Sequence, residues 1–378
     1  MNRYESLVRG LLGQAGITVG GSAPHDLQVH DQRFYERVVA EGSVGLGESY
    51  MDGWWSCAQL DEFFCRLLQA RLDHKVKLPW RETLAAAVAR VLNRQSSRRA
   101  GQVAHVHYDL GAEFFEAIMD PRMVYSCGYW KNATTLAQAQ EDKLDLACQK
   151  IGLAPSDRVL DIGCGWGGFV TFAHERYGCA PVGVTISRPQ AEYARRRCAG
   201  TPIQILAADY REINRREHGS FDKVVSFGMF EHVGPKNHRA FMKVVDDVLT
   251  EGGLFLLHTV GENVTRPKGD PWLDKYIFPN VAIPSVQHIG RAVEGLFVVE
   301  DWHNFGPDYY TTLMSWYENL QKHYPSLSPD AVPEPRERFY RMWEYFYTSC
   351  AGAFKTRRLQ LWQIVMSKGT IPAYTSVR

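Results

Sequence analysis

The hydrophobic and polar positions follow two different periods along the chain. Up to about residue 100, apolar residues recur at spacings of three and four, as in FYERVV (34–39), LDEFFCRLLQARL (60–72) and ETLAAAVARVLNR (82–94). This spacing is typical of amphipathic helices. A polar segment, NRQSSRRAGQ (93–102), closes this part of the chain. We therefore predict small packed helices that end in a linker.

Beyond the linker the pattern changes to short apolar runs, most of them separated by helix-like stretches. The runs are RVLDIG, PVGVTIS, IQILAADY, FDKVVSFGMFEH, GLFLLHTV, LFVVEDWHNFG and LQLWQIVMS. Such runs are typical of strands buried on both faces of a parallel sheet, and they predict a doubly wound α/β fold. A chain of 378 residues is long enough for two domains, which we place at residues 1–100 and 101–378.

Two connections stand out by their composition. Residues 261–284, GENVTRPKGDPWLDKYIFPNVAIP, separate two predicted strands with prolines and aromatic residues. A connection of this length is uncommon unless it is functional, so we expect it to line a site. Residues 325–335, PSLSPDAVPEP, are expected to form a surface excursion.

The charge balance excludes one class of partner and suggests another. The net charge of +1 argues against general nucleic-acid binding. From Arg66 to Arg99, however, the sequence contains nine basic residues and only two acidic ones, Asp73 and Glu82. Basic residues near an anionic membrane contribute about 1 kcal/mol each, so the helical domain is predicted to contact a membrane surface peripherally. An ordinary solvated face is the alternative.

Cysteine usage and the absence of long apolar runs bear on compartment. The 8 cysteines are scattered without a C-x-x-C pair or a zinc-type grouping with histidines, so we expect no metal site and reduced thiols in a cytoplasm. The N-terminus lacks the apolar core of a signal peptide. No apolar run approaches the roughly 20 residues that span a bilayer.

A glycine-rich turn follows the first predicted strand. Gly163, Gly165 and Gly168 match G-x-G-x-x-G, a strand-to-helix turn that offers backbone amides to a nucleotide. Asp161 precedes the glycines, whereas a dinucleotide fold commonly carries its acid at the end of the second strand. An acid at that place can meet the ammonium group of S-adenosylmethionine, which we favour over a nicotinamide dinucleotide. Asp209, after the third strand, could accept from an adenine amino group.

Other polar residues are predicted at strand ends, where open parallel sheets bind ligands. The second strand ends near Thr185, and Glu231, His258 and His303 follow at later strands. Each acid could instead cap a helix, and the residues around Glu231 could form a satisfied polar turn. Cys127 alone reads as core filling.

An aromatic stripe runs along one helical face near the C-terminus. It consists of Phe339, Trp343, Phe346, Cys350 and Phe354. Core packing is the default interpretation of such a stripe, and a channel for an acyl chain is the alternative. Tyrosines beside it could stabilise a carbocation.

The motifs together resemble a known family. They are GSVGLGESYMDGWW, HYDLG, YSCGYW, VLDIGCGWGG, GVTIS, MFEHVGPKN, LLHT, KYIFPN, EDWHNFGPDY and CAGAF…LQLWQ. In this order they resemble the cyclopropane-fatty-acyl-phospholipid synthases, relatives of the mycolic acid cyclopropane synthases. The resemblance runs from about residue 20 to about residue 368. It fails at the extreme N-terminus, around 325–336 and after Gly369.

The resemblance implies a fold, a reaction and a set of residues. The fold is that of class I S-adenosylmethionine methyltransferases, a Rossmann-like, seven-stranded, mainly parallel sheet. The reaction moves a methylene from S-adenosylmethionine to a cis double bond of an unsaturated phospholipid acyl chain. The implied cofactor residues are Tyr125, Ser126, Gly163, Gly165, Thr185, Gln190 and Asp209, and Trp166 would add a wall.

The resemblance also implies a base for the last step. In this family a bound bicarbonate accepts the proton of a carbocation, and its ligands map to Cys127, Glu231, His258, Tyr309 and the backbone near Val260. A carboxylate beside an anion requires either a shared proton or a cationic His258. Cys350 matches an active-site cysteine of the family, but the mechanism needs no covalent nucleophile, so we interpret it as lining. A homodimer on the inner face of the membrane is also implied.

Three alternatives remain open at this stage. A lipid C-methyltransferase of the same family would quench the carbocation to a methylated or branched chain. A dinucleotide oxidoreductase lacks its acid after the second strand. A non-catalytic lipid-binding protein would not need the intact glycines and strand-end acids.

Overall fold

A computed structural model of the protein describes residues 2–72, 111–266, 269–369, 371 and 373–378. Its strands form a seven-stranded sheet and a two-stranded one. The strands, in chain order, are β1 (Gln28–Val29), β2 (Trp55–Ser56), β3 (Val159–Ile162), β4 (Val182–Thr185), β5 (Gln204–Ala207), β6 (Phe221–Phe227), β7 (Leu249–Glu262), β8 (Val298–Asn304) and β9 (Leu359–Ser367). Each of the seven predicted apolar runs overlaps one strand of the large sheet.

The large sheet has the order β5-β4-β3-β6-β7-β9-β8. Strands β3 to β7 are paired in parallel, and β9 runs antiparallel to both of its neighbours, β7 and β8. The predicted doubly wound α/β fold is therefore confirmed. From β3 the chain continues to β4 and β5 on one side of the sheet, and then returns to β6 on the other side of β3. The order of the strands therefore reverses between β3 and β6, and open sheets of this kind bind ligands at such a point.

The described α-helices, numbered in chain order, surround this sheet and precede it. They are α1 (Arg3–Gln14), α2 (Arg33–Glu41), α3 (Ser43–Met51), α4 (Leu60–Gln69), α5 (Gly111–Ile118), α6 (Leu136–Lys150), α7 (Gly168–Tyr177), α8 (Arg188–Arg197), α9 (Arg215–His218), α10 (Phe230–Val233), α11 (His238–Val248), α12 (Pro271–Tyr276), α13 (Val286–Val293), α14 (Pro307–His323) and α15 (Arg336–Lys355).

Alternating side chains of the central strands pack into two layers. Leu160 and Ile162 of β3 join a core beneath α11 and α13, whereas Val159 joins the opposite core beneath α6, α7 and α8. Residues Phe255 and Leu256 of β7 divide between the two layers in the same way. Because both faces are covered, the strands can be apolar without interruption, which explains the pattern in the sequence.

The N-terminal helices pack directly on the C-terminal ones. Phe64 of α4 lies 5.0 Å from Tyr345 of α15, ring centre to ring centre. A side chain at Gly352 would place its Cβ 2.9 Å from Phe64, so the helices approach closely there. The predicted domain boundary at residue 100, the helix at 82–94 and the linker at 93–102 all lie outside the described residues. The division into two domains stays a prediction.

The long connection after β7 is attached to the N-terminal helices. Its helix α12 buries Trp272, whose ring lies 4.4 Å from that of Tyr345. Glu48 of α3 accepts hydrogen bonds from Lys275 and from Tyr276, the latter at 2.7 Å. Residues 325–335 are mostly exposed, as expected for a surface excursion.

Candidate active site

A pocket lies at the carboxyl ends of β3, β4, β5 and β6. All nine residues that the sequence analysis assigned to a cofactor line it. They are Tyr125, Ser126, Asp161, Gly163, Gly165, Trp166, Thr185, Gln190 and Asp209. Asn280, from the long connection after β7, lines the same pocket. The structure thus brings the predicted cofactor residues together in one cavity.

The glycine turn after β3 has the geometry that requires glycine. Gly163, Gly165 and Gly167 have φ values of +94°, +52° and +86°, which side chains rarely adopt. The amides of Gly163 and Cys164 donate to Val184 at 2.8 and 2.9 Å, so they hold the turn to β4. A ligand at this turn would meet the remaining amides, among them those of Gly165 and Trp166.

The third glycine of the motif serves a close approach instead. A Cβ on Gly168 would lie 2.7 Å from the carbonyl oxygen of Arg122. This position begins α7, directly after the turn. Gly168 therefore lets the segment before Tyr125 pass close to the start of the helix.

The two aspartates at this edge differ in role. Asp161 is buried, and its Oδ1 has no hydrogen-bond partner within the described part of the chain. Burial raises the pKa of Asp161 to about 7, and Lys143 acts in the opposite direction. Asp209 caps the short 3-10 turn Tyr210–Glu212 and accepts from Arg211 at 2.7 Å. Capping and pocket lining are therefore combined at Asp209, whereas Asp161 offers a free acceptor to a cation.

A second group of residues lies next to the pocket, on the side of the pocket-lining residue Phe227. The Val260 amide donates to Glu231 Oε1 at 2.6 Å. Val260 packs with Cys127 and Tyr309 in one apolar cluster, built on Phe305 and Leu361.

His258 connects this group to the pocket. Its ring lies 5.9 Å from that of Phe305 and 5.4 Å from that of Phe227. We call Cys127, Glu231, His258, Val260 and Tyr309 the acid–base cluster. None of them lines the pocket itself.

His258 does not stand at a strand end, as the sequence analysis placed it. Strand β7 continues to Glu262, and His258 pairs with Phe227, the last residue of β6. The prediction of its place was wrong because β7 extends past its neighbour to pair with β9 over its whole outer half. His258 nevertheless lies at the level where β6 ends.

Burial sets the protonation of the acid–base cluster. It raises the pKa of Glu231 to about 7, and it raises that of the Cys127 thiol well above its usual value. Burial, with Lys143 and Lys150 nearby, lowers the pKa of His258 well below its usual value. A cationic His258 is therefore disfavoured, and of the two alternatives a shared proton on Glu231 fits better.

Two polar atoms of the cluster are left unsatisfied. Glu231 Oε2 and His258 Nε2 are buried without a hydrogen-bond partner among the described residues. His258 Nδ1 accepts from Gln363 at 3.5 Å. Buried polar atoms without partners are costly, so this place suits a small polar guest.

The C-terminal aromatic stripe is mainly core. Phe339, Trp343, Phe346 and Phe354 of α15 are buried in the large N- and C-terminal cluster, as the default interpretation held. Cys350 is only partly buried, and the pKa of its thiol is raised to about 12 by burial. A thiol that stays protonated is a poor nucleophile, which agrees with a lining role.

The sequence analysis missed several polar residues at the site. Lys143 is fully buried and donates to Ser126 Oγ at 2.8 Å. Gln140, one turn earlier on α6, donates to the Ser126 carbonyl at 2.7 Å. His232 lines the pocket, and burial lowers its pKa to about 4. The only signal in the sequence was Lys143 among apolar residues spaced as on a helix, a segment that the sequence analysis did not single out.

His303 belongs neither to the pocket lining nor to the acid–base cluster. Its Nδ1 lies 3.0 Å from Lys150 Nζ, beside an ion pair between Lys150 and Asp301. Within the described ranges, no group of histidines, cysteines and carboxylates is arranged to hold a metal ion. No helix in those ranges has the length and hydrophobicity of a membrane span.

Most of the chain is similar in sequence to known proteins. The family model for mycolic acid cyclopropane synthetase matches residues 95–364. The chain is 50% identical over 359 residues to the cyclopropane-fatty-acyl-phospholipid synthase of Escherichia coli K12, covering 95% of this chain and 92% of that one. It is 36% identical over 286 residues to a probable fatty acid methyltransferase of Pseudomonas putida, covering 72% and 70%.

A solved structure extends the comparison to the fold. Mycolic acid cyclopropane synthase CmaA1, in complex with SAH and CTAB, aligns with a TM-score of 0.63 and 30% identity. The alignment covers 71% of this chain and 98% of that one. The α/β part therefore has the fold of class I S-adenosylmethionine methyltransferases.

Proposed function

This chain belongs to the mycolic acid cyclopropane synthetase family, and on that premise we propose that it converts unsaturated acyl chains of membrane phospholipids into cyclopropane acyl chains. The methylene comes from S-adenosylmethionine. The observation that carries the proposal is a pocket that suits a nucleotide and that has one wall residue, Phe227, in contact with His258 of a largely buried acid–base cluster.

The pocket suits S-adenosylmethionine in its chemistry. The Asp161 carboxyl has an oxygen free to accept from the ammonium group of the cofactor. The amides of Gly165 and Trp166 suit its carboxylate, and Asp209, which lines the pocket, can accept a further hydrogen bond from the adenine amino group. Thr185 donates to Gln190 at 3.1 Å, which fixes both side chains at the wall of the pocket.

The reaction balances without a redox step. The two π electrons of the alkene form a bond to the methyl carbon, and the bond between carbon and sulfur breaks, leaving a neutral sulfide. A carbocation then remains on the acyl chain. One C–H bond of the new methyl group gives up its proton, and its electron pair closes the third bond of the ring.

The protein must supply a place for that proton. Glu231 Oε1 accepts from the Val260 amide, and its Oε2 has no partner among the residues that the structure describes. Cys127 and His258 belong to the same cluster and are neutral, since burial keeps the thiol protonated and the imidazole uncharged. Because Glu231, Cys127 and His258 are buried, a proton released here would pass to the acid–base cluster or to a guest bound in it.

Bicarbonate fits the unsatisfied atoms of the acid–base cluster. Glu231 with a proton can donate to it, and Tyr309, Cys127 and the Nε2 of His258 can contribute further contacts. When bound, bicarbonate would supply a base next to the carbocation and a charge that balances it. Removal of bicarbonate from the buffer should then lower turnover without changing cofactor affinity.

We also propose that the enzyme works in the cytoplasm as a homodimer that contacts the membrane peripherally. The membrane contact is supported by the basic stretch from Arg66 to Arg99, of whose basic residues only Arg66 and Arg71 lie within the described part of the chain. The cytoplasmic location rests on the scattered cysteines, and the homodimer rests on the resemblance to the family. Replacing Arg90, Arg94, Arg98 and Arg99 by glutamine should weaken binding to anionic vesicles. Binding and processing at the normal rate would contradict this membrane contact, and sedimentation of the purified protein tests the dimer.

The central experiment uses a donor with a fully deuterated methyl group. The protein is incubated with vesicles of unsaturated phospholipid, and the released acyl chains are analysed by mass spectrometry. A product that has gained the carbon and lost one deuterium supports ring closure. A product that retains every deuterium would indicate a C-methyltransferase, and no product in the presence of bicarbonate would favour a lipid-binding protein.

A further inference from the structure

Lys143 is a lysine fully buried beside the active site. Helix α6 places it under the segment that contains Ser126, to whose Oγ its Nζ donates at 2.8 Å. The ammonium also lies 5.0 Å from the ring centre of Phe227. Burying an ammonium group is costly unless its surroundings compensate for lost water. The surroundings of Lys143 are the two parts of the site.

Both contacts of Lys143 are with residues that join the pocket to the acid–base cluster. Ser126 lines the pocket, and the next residue, Cys127, belongs to the cluster. Phe227 also lines the pocket and packs against His258. Lys143 is therefore placed where a change in one part of the site reaches the other.

The charges around Lys143 come from several elements. Asp120, Cys127 and Asp161 face it, and they oppose the effect of burial, which lowers the pKa of Lys143 to about 7. In return, Lys143 lowers the pKa of Asp161 and that of His258. Without the lysine, Asp161 would hold its proton to a higher pH.

The geometry points to a role that rests on the proposed use of S-adenosylmethionine. We propose that Lys143 is a positioning residue, whose buried ammonium fixes Ser126 between the pocket and the acid–base cluster and supplies the positive charge that Asp161 shares with the bound cofactor. It touches neither the reacting atoms nor the pocket surface.

The test measures binding of S-adenosylhomocysteine by calorimetry between pH 6 and pH 9. Lys143→Met is expected to bind about fivefold more weakly at pH 7, because a rise of about one unit from a pKa of about 7 lowers the ionised fraction of Asp161 from about one half to about one tenth. The difference from the wild type should disappear towards pH 9, because Asp161 then ionises in the variant and Lys143 of the wild type, with a pKa of about 7, has itself lost its proton. Lys143→Arg keeps the charge and should keep most of the affinity. Lys143→Gln also removes the charge, and it replaces the methionine variant in the test if that variant does not fold.

Two controls separate a positioning role from general damage. Methylthioadenosine lacks the amino-acid part of the cofactor, so Lys143→Met should bind it as the wild type does. Lys150 is an equally buried lysine on α6 that pairs with Asp301 at 3.3 Å. Lys150→Met should leave the pH dependence of binding unchanged.

The outcomes distinguish this proposal from the proposed function. Failure of the wild type to bind S-adenosylhomocysteine would overturn the proposed function. Normal wild-type binding with the same pH profile in Lys143→Met, Lys143→Gln and Lys143→Arg would overturn only the role of Lys143. Equal losses for S-adenosylhomocysteine and methylthioadenosine would also overturn it, since they indicate a structural effect alone.

Discussion

Glu231 should reduce the stability of the folded protein at neutral and alkaline pH, because its burial favours the protonated form. In the folded state its pKa is about 7, against an ordinary value of 4.5. Between pH 4.5 and about pH 7, Glu231 keeps a proton in the folded protein that it has released in the unfolded chain. The free energy of unfolding therefore falls as the pH rises through this range. The difference amounts to about 3 kcal/mol above pH 7, at about 1.4 kcal/mol per pKa unit.

Glu231→Gln removes this effect while keeping the shape of the protonated side chain. Its amide oxygen can still accept from the Val260 amide, which donates to Glu231 Oε1 in the wild type. We therefore expect the variant to have nearly wild-type stability at pH 5 and to be more stable by about 3 kcal/mol at pH 8. Turnover should fall by about 10²- to 10⁴-fold, the usual contribution of an acid–base group.

The assay is urea unfolding at pH 5 and pH 8 in buffer free of bicarbonate, which would otherwise stabilise the folded state by binding. Glu294→Gln, at an exposed glutamate on the surface, is the matched control and should show the same small change at both pH values. A stability difference between Glu231→Gln and wild type that is equal at pH 5 and pH 8 would refute the reasoning.

Three further substitutions test the rest of the structure. In Gly47→Ala the new Cβ would lie 2.3 Å from Cδ1 of Trp272, so thermal unfolding should show a loss of about 1–3 kcal/mol, whereas Gly10→Ala, with open space around it, should show none. Gly165→Val, at a φ of +52°, should abolish binding of S-adenosylhomocysteine in calorimetry, and normal affinity would disprove the turn assignment. Cys350→Ala should retain most of the turnover, and a loss beyond a hundredfold would argue for a chemical role of this thiol.

The sequence was most informative where local pattern and burial coincide. The central strands β3, β4, β6, β7 and β9 could be predicted because strands covered on both faces are apolar without interruption, and the edge strands β5 and β8 because they also carry short apolar runs. Asp161 and Thr185 could be placed because the carboxyl end of a parallel strand is fixed by the end of its apolar run. The resemblance to a known family then brought in Cys127 and Tyr309, which no local pattern distinguishes.

What could not be predicted depends on contacts between distant segments. The place of His258 within β7 follows from the pairing of that strand with β9, which lies about a hundred residues further along the chain. The buried position of Lys143 depends on the packing of α6 under Ser126. Trp272 packs against α3 so closely that position 47 must be glycine. An isolated helix would accept many other residues at that position, so the sequence of α3 alone does not reveal the contact. None of these contacts leaves a periodic signal.

The separation of the pocket from the acid–base cluster bears on how the proposed cationic reaction would avoid water. The pocket holds a carboxyl group, Asp161, at the end where the positively charged cofactor would bind. In the cluster Glu231 and His258 are buried, and so are the apolar residues Phe305 and Leu361, which pack with Val260. In the proposed reaction, a carbocation formed between the pocket and the cluster would meet little water that could add to it, which leaves proton loss and hydride shift as its paths. The apolar wall would therefore disfavour a hydroxylated product, and the choice between a ring and a branched chain would fall to the base.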